Sequence, residues 1–279
     1  MAVKNNARTL IMDLLFADPD VSISIRQFLL AGQLFEISEN SIRVALTRLS
    51  NDELIETIAR GIYCLTKQAK EISEPVANRA KGIRQTRPWN GDFLAVHTGA
   101  LNRADRGALS RRERTLHLNG FRELQPDLFI RPDNLIESQD ITRKRLIQAG
   151  VDERASFFVA RDFDPIHQKR IPRLWDKKAL HNRYQTMSQR IEIWLENADS
   201  LTLPVAARES LLIGREAIPL MMTDPLLPEP LIDTLLQQNF FEDVIRLDQR
   251  GHAYWKQLYD DIYKEESSNG KSTAMIATN

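Results

Sequence analysis

The sequence predicts an α+β chain, and three observations carry that expectation. Residues 8–51 hold three amphipathic helical runs, followed at once by a strand–turn–strand that ends near Leu65. Residues 92–160 alternate strand-like and helix-like stretches, and from Arg173 onward apolar side chains recur every three or four positions. At 279 residues the chain exceeds one typical domain, so two or three are expected. The divisions read along it are a helix–hairpin unit at 1–73, a linker helix at 74–88, an α+β layer at 89–172, a helical domain at 173–265 and a disordered tail at 266–279.

The first run, residues 8–17, places Leu10, Ile11, Leu14 and Leu15 on one stripe; the second, residues 24–35, does the same with Ile25, Phe28 and Leu29. In the third, Ser38 is the N-cap, and Ile42, Ala45, Leu46 and Leu49 form the apolar stripe. After Asp52 the pattern becomes extended through Ile58, then reverses at Ala59-Arg60-Gly61 into Ile62-Tyr63-Cys64-Leu65. Helix, helix, helix, hairpin is the order of a winged helix-turn-helix. Pro88-Trp89-Asn90-Gly91 then opens a strand at 92–97, a loop covers 98–107, and a helix capped by Ser110 stops at Asn119-Gly120. Strands at 128–130 and 156–160 flank residues 135–150, whose pattern fits helix or strand. Phe93, Phe121, Phe129, Phe157 and Phe158 read as core. This alternation suggests a ferredoxin-like layer. Helical runs follow around residues 180–195, from Pro204, after the stiff turn at 223–230, and again from Gly251.

The outward side of the third helix shows Asn40, Ser41, Arg43, Val44, Thr47 and Arg48, with no carboxylate between Asn40 and Arg48. A surface that faces phosphates requires that. Such a helix enters the major groove while a basic-tipped hairpin meets the backbone beside it. The expected DNA-binding set is therefore Ser38, Asn40, Ser41, Arg43, Val44, Thr47, Arg48 and Arg60, with Arg43 and Arg48 as base or phosphate contacts. Double-stranded DNA is the expected partner. Two alternatives stay open: a winged-helix module that docks protein, and a metal-dependent nuclease built on the central layer.

A net charge of zero conceals an asymmetry. Residues 1–90 hold 12 Lys/Arg against 10 Asp/Glu, residues 175–279 hold 11 against 16, and residues 79–114 hold nine basic side chains against three acidic. The acidic C-terminal third is unsuited to DNA and points to another ligand or a second copy. The basic middle can approach phosphates. There Arg84, Arg87 and Trp89 form a candidate ligand-binding set, since an arginine pair can hold a phosphate or carboxylate.

Other chemistries find little support. Apolar runs are far too short for a membrane span, and the opening MAVKNNARTL lacks the apolar core of a signal peptide. Cys64 alone can form neither an internal disulfide nor a multi-cysteine metal site, so a cytoplasmic location is expected. Five histidines fall in no ligand spacing, and no phosphate-cradling glycine motif or nucleophile elbow occurs. The Asp162-Phe163-Asp164-Pro165 run reads as a turn opener, and His97-Thr98 occupies the place where a nuclease aspartate would stand. No metal, cofactor or catalytic residue is expected, and the chain is not expected to be an enzyme.

In the order of its pieces the chain resembles the PaaX-like bacterial transcriptional regulators, the family of the phenylacetic acid catabolism repressor. The resemblance is carried by Ile37-Ser38 through Leu49, by Tyr63-Cys64-Leu65-Thr66 and by Trp89-Asn90-Gly91. It continues in Leu118-Asn119-Gly120-Phe121, Pro126 to Pro132, Leu174-Trp175-Asp176 with Tyr184, Asp224-Pro225-Leu226-Leu227-Pro228 and Tyr254-Trp255. Residues 139–145 read as an extended loop that departs from the family pattern. The resemblance implies a winged helix, a central ferredoxin-like domain resembling the Cas2 fold, a helical C-terminal domain and a homodimer. It also implies repression of an aromatic or related catabolic operon, on a palindromic operator, released by a small-molecule effector such as an aryl-acyl-coenzyme A thioester.

Overall fold

Three helices and a hairpin open the chain: α1 (Ala7–Ala17), β1 (Ile23–Ser24), α2 (Ile25–Leu34), α3 (Glu39–Asn51), β2 (Ile55–Ala59) and β3 (Ile62–Leu65). The structure, a computed structural model, describes residues 6–70, 86–101 and 105–276. The fold is α+β with two antiparallel sheets. The chain divides into two compact units, an N-terminal one of residues 1–81, 190–218 and 243–279 and a central one of residues 82–189 and 219–242.

In the N-terminal unit each helix starts where a side chain satisfies its free amides. Asn6 accepts from the Thr9 amide; Ser24 and Gln27 cap α2 reciprocally, at 3.3 and 2.7 Å; and Ser38 accepts from the Ser41 amide. The sheet order is β1-β3-β2, all antiparallel. Strand β1, only two residues long, is too short to leave a period in the sequence. Leu10, Ile11, Leu15, Phe28, Ile42 and Leu49 are fully buried, and Ala207, Trp255 and Leu258 from the C-terminal helices join the same core. Each such side chain contributes about 1.5–3 kcal/mol. Arg215, 6% exposed, lies over the Phe35 ring and pairs with Asp13 at 2.6 Å; burial still raises the Asp13 pKa, against the pull of that arginine.

The C-terminal helices are α7 (Lys177–Asn197), α8 (Leu203–Met222) and α9 (Thr234–Ile276), after the short helix α6 (Pro165–Arg170) of the central unit. They do not make the separate helical domain expected at 173–265, because residues 190–218 and 243–279 belong with the N-terminal unit and 219–242 with the central one. Two predicted helices, one restarting at Gly251, are a single helix. Gly251 lets that helix run past α8: a Cβ there would meet Ser210 Cβ and Oγ at 3.0 Å. The helix also continues to Ile276, where a disordered tail from 266 is expected; no proline follows Pro230 to stop it.

The central unit contains β4 (Phe93–His97), α4 (Arg106–Leu118), β5 (Arg122–Gln125), β6 (Leu128–Pro132), α5 (Gln139–Gln148) and β7 (Ser156–Ala160), in the antiparallel order β5-β6-β4-β7. Helix α4 begins four residues before the expected Ser110 cap because Asp105 accepts from the Ala108 amide at 3.0 Å. Residues 139–145, read as an extended loop, are helical and belong to α5, which Ser138 caps. Leu94, Val96, Phe129 and Phe157 face the helices with Leu116 and Leu146. On the other face Ala95 lies opposite both Ile130 and Phe158; Ala95 and Ile130 are fully buried, but Phe158, expected in the core, is 43% exposed. It stands on an edge strand, where only one side offers neighbours.

The most elaborate packing in this unit is polar. The Arg131 guanidinium, 2% exposed, donates to the carbonyls of Asn119 (2.7 Å), Pro132 (3.2 Å) and Pro225 (3.4 Å), and to Asn134 Oδ1 (3.4 Å). Asn134 Nδ2 donates to the Leu226 carbonyl at 2.8 Å, and Trp175 Nε1 to the Gly120 carbonyl at 3.0 Å. Asp224, also buried, accepts from the Tyr184 hydroxyl, from Gln237 Nε2 and from the Leu226 amide. Gly120, at φ 85°, brings the α4–β5 turn so close to Pro225 that a Cβ would sit 3.1 Å from its carbonyl oxygen. Burial lowers the Arg131 pKa to about 10 and raises that of Asp224 to about 6.

Candidate nucleic-acid interface

Helix α3 turns two chemically different sides to its surroundings. Ile42, Ala45, Leu46 and Leu49 are buried, while Ser38, Asn40, Ser41, Arg43, Val44, Thr47 and Arg48 are all exposed. The hairpin follows directly, and Arg60 is exposed at its turn. Gly61 O accepts from the Ile25 amide at 2.8 Å, which ties the hairpin turn to the start of α2.

The exposed residues differ in how they are held. Ser38 and Ser41 close the helix start: the Ser38 hydroxyl takes the Ser41 amide at 3.3 Å and lies 2.9 Å from the Ser41 hydroxyl. Thr47 Oγ1 donates back to the Arg43 carbonyl at 3.1 Å, leaving its methyl and lone pairs outward. Asn40, Arg48 and Arg60 make no side-chain hydrogen bond or ion pair among the described residues. Val44 is an apolar side chain, 40% exposed, amid this polar group. Donors, cations and one apolar contact on a single ridge are the repertoire that reads base edges.

Sequence reasoning passed over Glu39. It lies one residue before the carboxylate-free stretch and pairs with Arg43 one turn on, at 3.8 Å, both side chains more than half exposed. The i, i+4 spacing was the available signal. A carboxylate there would oppose any phosphate brought to this side of the helix. Glu39→Gln is therefore expected to tighten binding to random duplex severalfold. Titration of an unrelated duplex at fixed salt checks this, and no change would show that this side of α3 meets no phosphate.

The proposed ligand set fares differently. Arg84 lies outside the described residues. Arg87 pairs with Asp133 at 2.9 Å and donates from Nε to the Leu135 carbonyl at 3.2 Å. Trp89 is half-buried; its Nε1 donates to the Asp92 carbonyl at 2.6 Å and its ring meets Phe93 edge to face at 5.2 Å. Arg87 and Trp89 thus fasten the segment before β4 to β4 and to the residues after β6. Asp164 caps α6, taking the Ile166 and His167 amides at 2.8 and 3.0 Å, and its other oxygen holds His167 Nδ1. Among the described residues no group of three His, Cys, Asp or Glu side chains could hold a metal ion, and no helix is long and apolar enough to cross a membrane.

No family model and no curated protein matches the chain. Among solved structures it is similar to the uncharacterized protein Rv0674 from Mycobacterium tuberculosis, with a TM-score of 0.61 and 21% identity over 89% of this chain and 98% of that one. At that identity the likeness concerns the fold alone.

Proposed function

We propose that this chain is a DNA-binding transcriptional regulator of the PaaX-like kind, a cytoplasmic homodimer that represses an aromatic or related catabolic operon. In this reading residues 6–70 are a winged helix-turn-helix, with α3 as the recognition helix and β2–β3 as the wing. The central layer is ferredoxin-like, its order β4-α4-β5-β6-α5-β7 matching a split βαβ pair. The effector is a small molecule, with an aryl-acyl-coenzyme A thioester as the first candidate.

The observation that carries the reading is the exposed ridge of α3 together with Arg60, in which Asn40, Arg48 and Arg60 have no internal partner among the described residues. Further support comes from the remote sequence pieces behind the resemblance. Asn119-Gly120, Arg131, Trp175, Tyr184 and Asp224-Pro225 lie far apart in the chain and meet in one buried network.

The test is selection of duplexes from a random pool by the full chain, then footprinting upstream of its own gene with and without aryl-acyl-coenzyme A thioesters. An enriched inverted repeat, protected in the footprint and released by a thioester, is expected. Arg48→Ala should cost about 1–3 kcal/mol and relax one position of that repeat. Failure to enrich any duplex would overturn the DNA reading; protection indifferent to thioesters would overturn only the effector.

A further inference from the structure

Arg112 is buried like Arg131, 4% against 2% exposed, yet it has none of that residue's partners. Its Nε and Nη2 are buried and meet no acceptor, and the side chain makes no hydrogen bond, ion pair or ring contact among the described residues. Other polar groups on this side of α4 are satisfied. Asn119 Oδ1 receives Arg145 Nη1, and one turn earlier Thr115 Oγ1 donates to the Ala149 carbonyl at 2.8 Å. Arg112 comes one turn earlier again, where α5, which ends at Gln148, no longer lies alongside. The carboxylate whose charge it meets there is Asp152. Both oxygens of Asp152 are already taken by Arg154: Oδ1 receives its amide and its Nε, each at 3.0 Å, and Oδ2 receives its Nη2 at 2.7 Å.

A guanidinium keeps its charge in a protein, and a buried charge without a partner is among the costliest arrangements a fold can hold. The orphaned atoms are also a particular pair. Nε–H and one Nη2–H point the same way from one edge of the guanidinium, at the spacing that takes both oxygens of a carboxylate or phosphate. We propose that this edge of Arg112 binds the oxyanion of a small molecule, a carboxylate or a phosphate, where α4 runs past the end of α5. Arg154 already neutralises Asp152, so the site keeps the charge of Arg112 for its ligand. Arg106, Arg111 and Arg114, exposed on the other sides of α4 with Glu113 among them, add a positive field that draws anions. The site does not depend on the DNA-binding reading and can fail without it.

The probes are inorganic phosphate and acetate, titrated separately into the full chain in a zwitterionic buffer and followed by thermal unfolding and hydrogen exchange. At about tenfold over its Kd the better anion should raise the melting midpoint by about 3–5 °C and then saturate. A general effect of salt on stability does not saturate in this way. Exchange should slow in α4 around Arg112 and in the turn after α5, and the lower of the two Kd values tells a phosphate from a carboxylate ligand. Arg112→Met should abolish the saturable response. Without added anion that variant should be at least as stable as the parent, because it removes a buried charge that has no partner. Arg112→Lys, which keeps the charge without the paired donors, should bind about tenfold more weakly. A parent that saturates with neither anion would overturn the site, and this holds even if Arg112→Met does not fold. Equal destabilisation by Arg112→Met and Asp152→Asn in the anion-free buffer, with no further loss in the double variant, would also overturn it by showing that Asp152 is the partner.

Discussion

Replacing Arg131 with methionine is expected to destabilise the central unit by about 3–5 kcal/mol. The side chain is buried, and its guanidinium satisfies the carbonyls of Asn119, Pro132 and Pro225 together with Asn134 Oδ1. Methionine fills a similar volume yet takes a donor away from four buried acceptors, and a buried polar group left unsatisfied costs about 1–3 kcal/mol. Lysine should not rescue the fold, because one ammonium cannot span acceptors that a planar fork reaches from both sides. Urea unfolding followed by hydrogen exchange over residues 119–135 gives the size and the place of the effect. Asn134→Ala combined with Arg131→Met should cost less than the two separately, since both hold the 225–226 segment. A loss below about 1 kcal/mol would mean that water replaces the guanidinium, and the network would then be incidental to the fold.

The second large effect depends on pH. Burial raises Asp224 to about 6 from an ordinary 3.8, although three donors point at its carboxylate. The protonated form is therefore the better fit. Its contribution to stability is complete below pH 3.8 and is lost as pH rises through 6. The gap corresponds to about 3 kcal/mol. Asp224→Asn, which keeps the shape without the charge, should equal the parent at pH 4 and exceed it by up to about 3 kcal/mol at pH 8. Chemical unfolding of both proteins at the two pH values decides the matter. A difference independent of pH would show that the three donors hold the ionised carboxylate at no cost.

How far the sequence could be read depended on range. Local signals worked: Ser38 as a cap, the Arg60-Gly61 turn, the stripe of Ile42, Ala45, Leu46 and Leu49, and strand β7 at Ser156–Ala160. Each is settled by residues a few positions apart. Errors arose where distant residues decide. Gly251 looks like a break until Ser210 is seen beside it, whereas Asp105 taking the α4 cap from Ser110 was a local misreading. Phe158 cannot be told from Phe157 without knowing which face of β7 the helices cover. Arg131 gave no signal because three of its four acceptors are backbone carbonyls, which no residue pattern marks. In the candidate interface the outward set was legible from helical spacing, but the skip in hairpin register at Ile58 was not, because register exists only once two strands are paired.

The N-terminal unit is assembled from pieces at both ends of the chain, and this imposes an order on its synthesis. Its core includes Ala207, Trp255 and Leu258, so the hairpin and the three helices before it leave the ribosome without part of the surface they bury. The central unit's strands, all made by residue 160, emerge in between. At ordinary translation speeds the wait between residues 81 and 258 lasts on the order of ten to thirty seconds. Throughout that interval the nascent helices expose apolar side chains that a chaperone can hold, and a chain stopped before Ala207 would lack part of the core this unit buries. Completion of this core thus waits until Leu258 has been made.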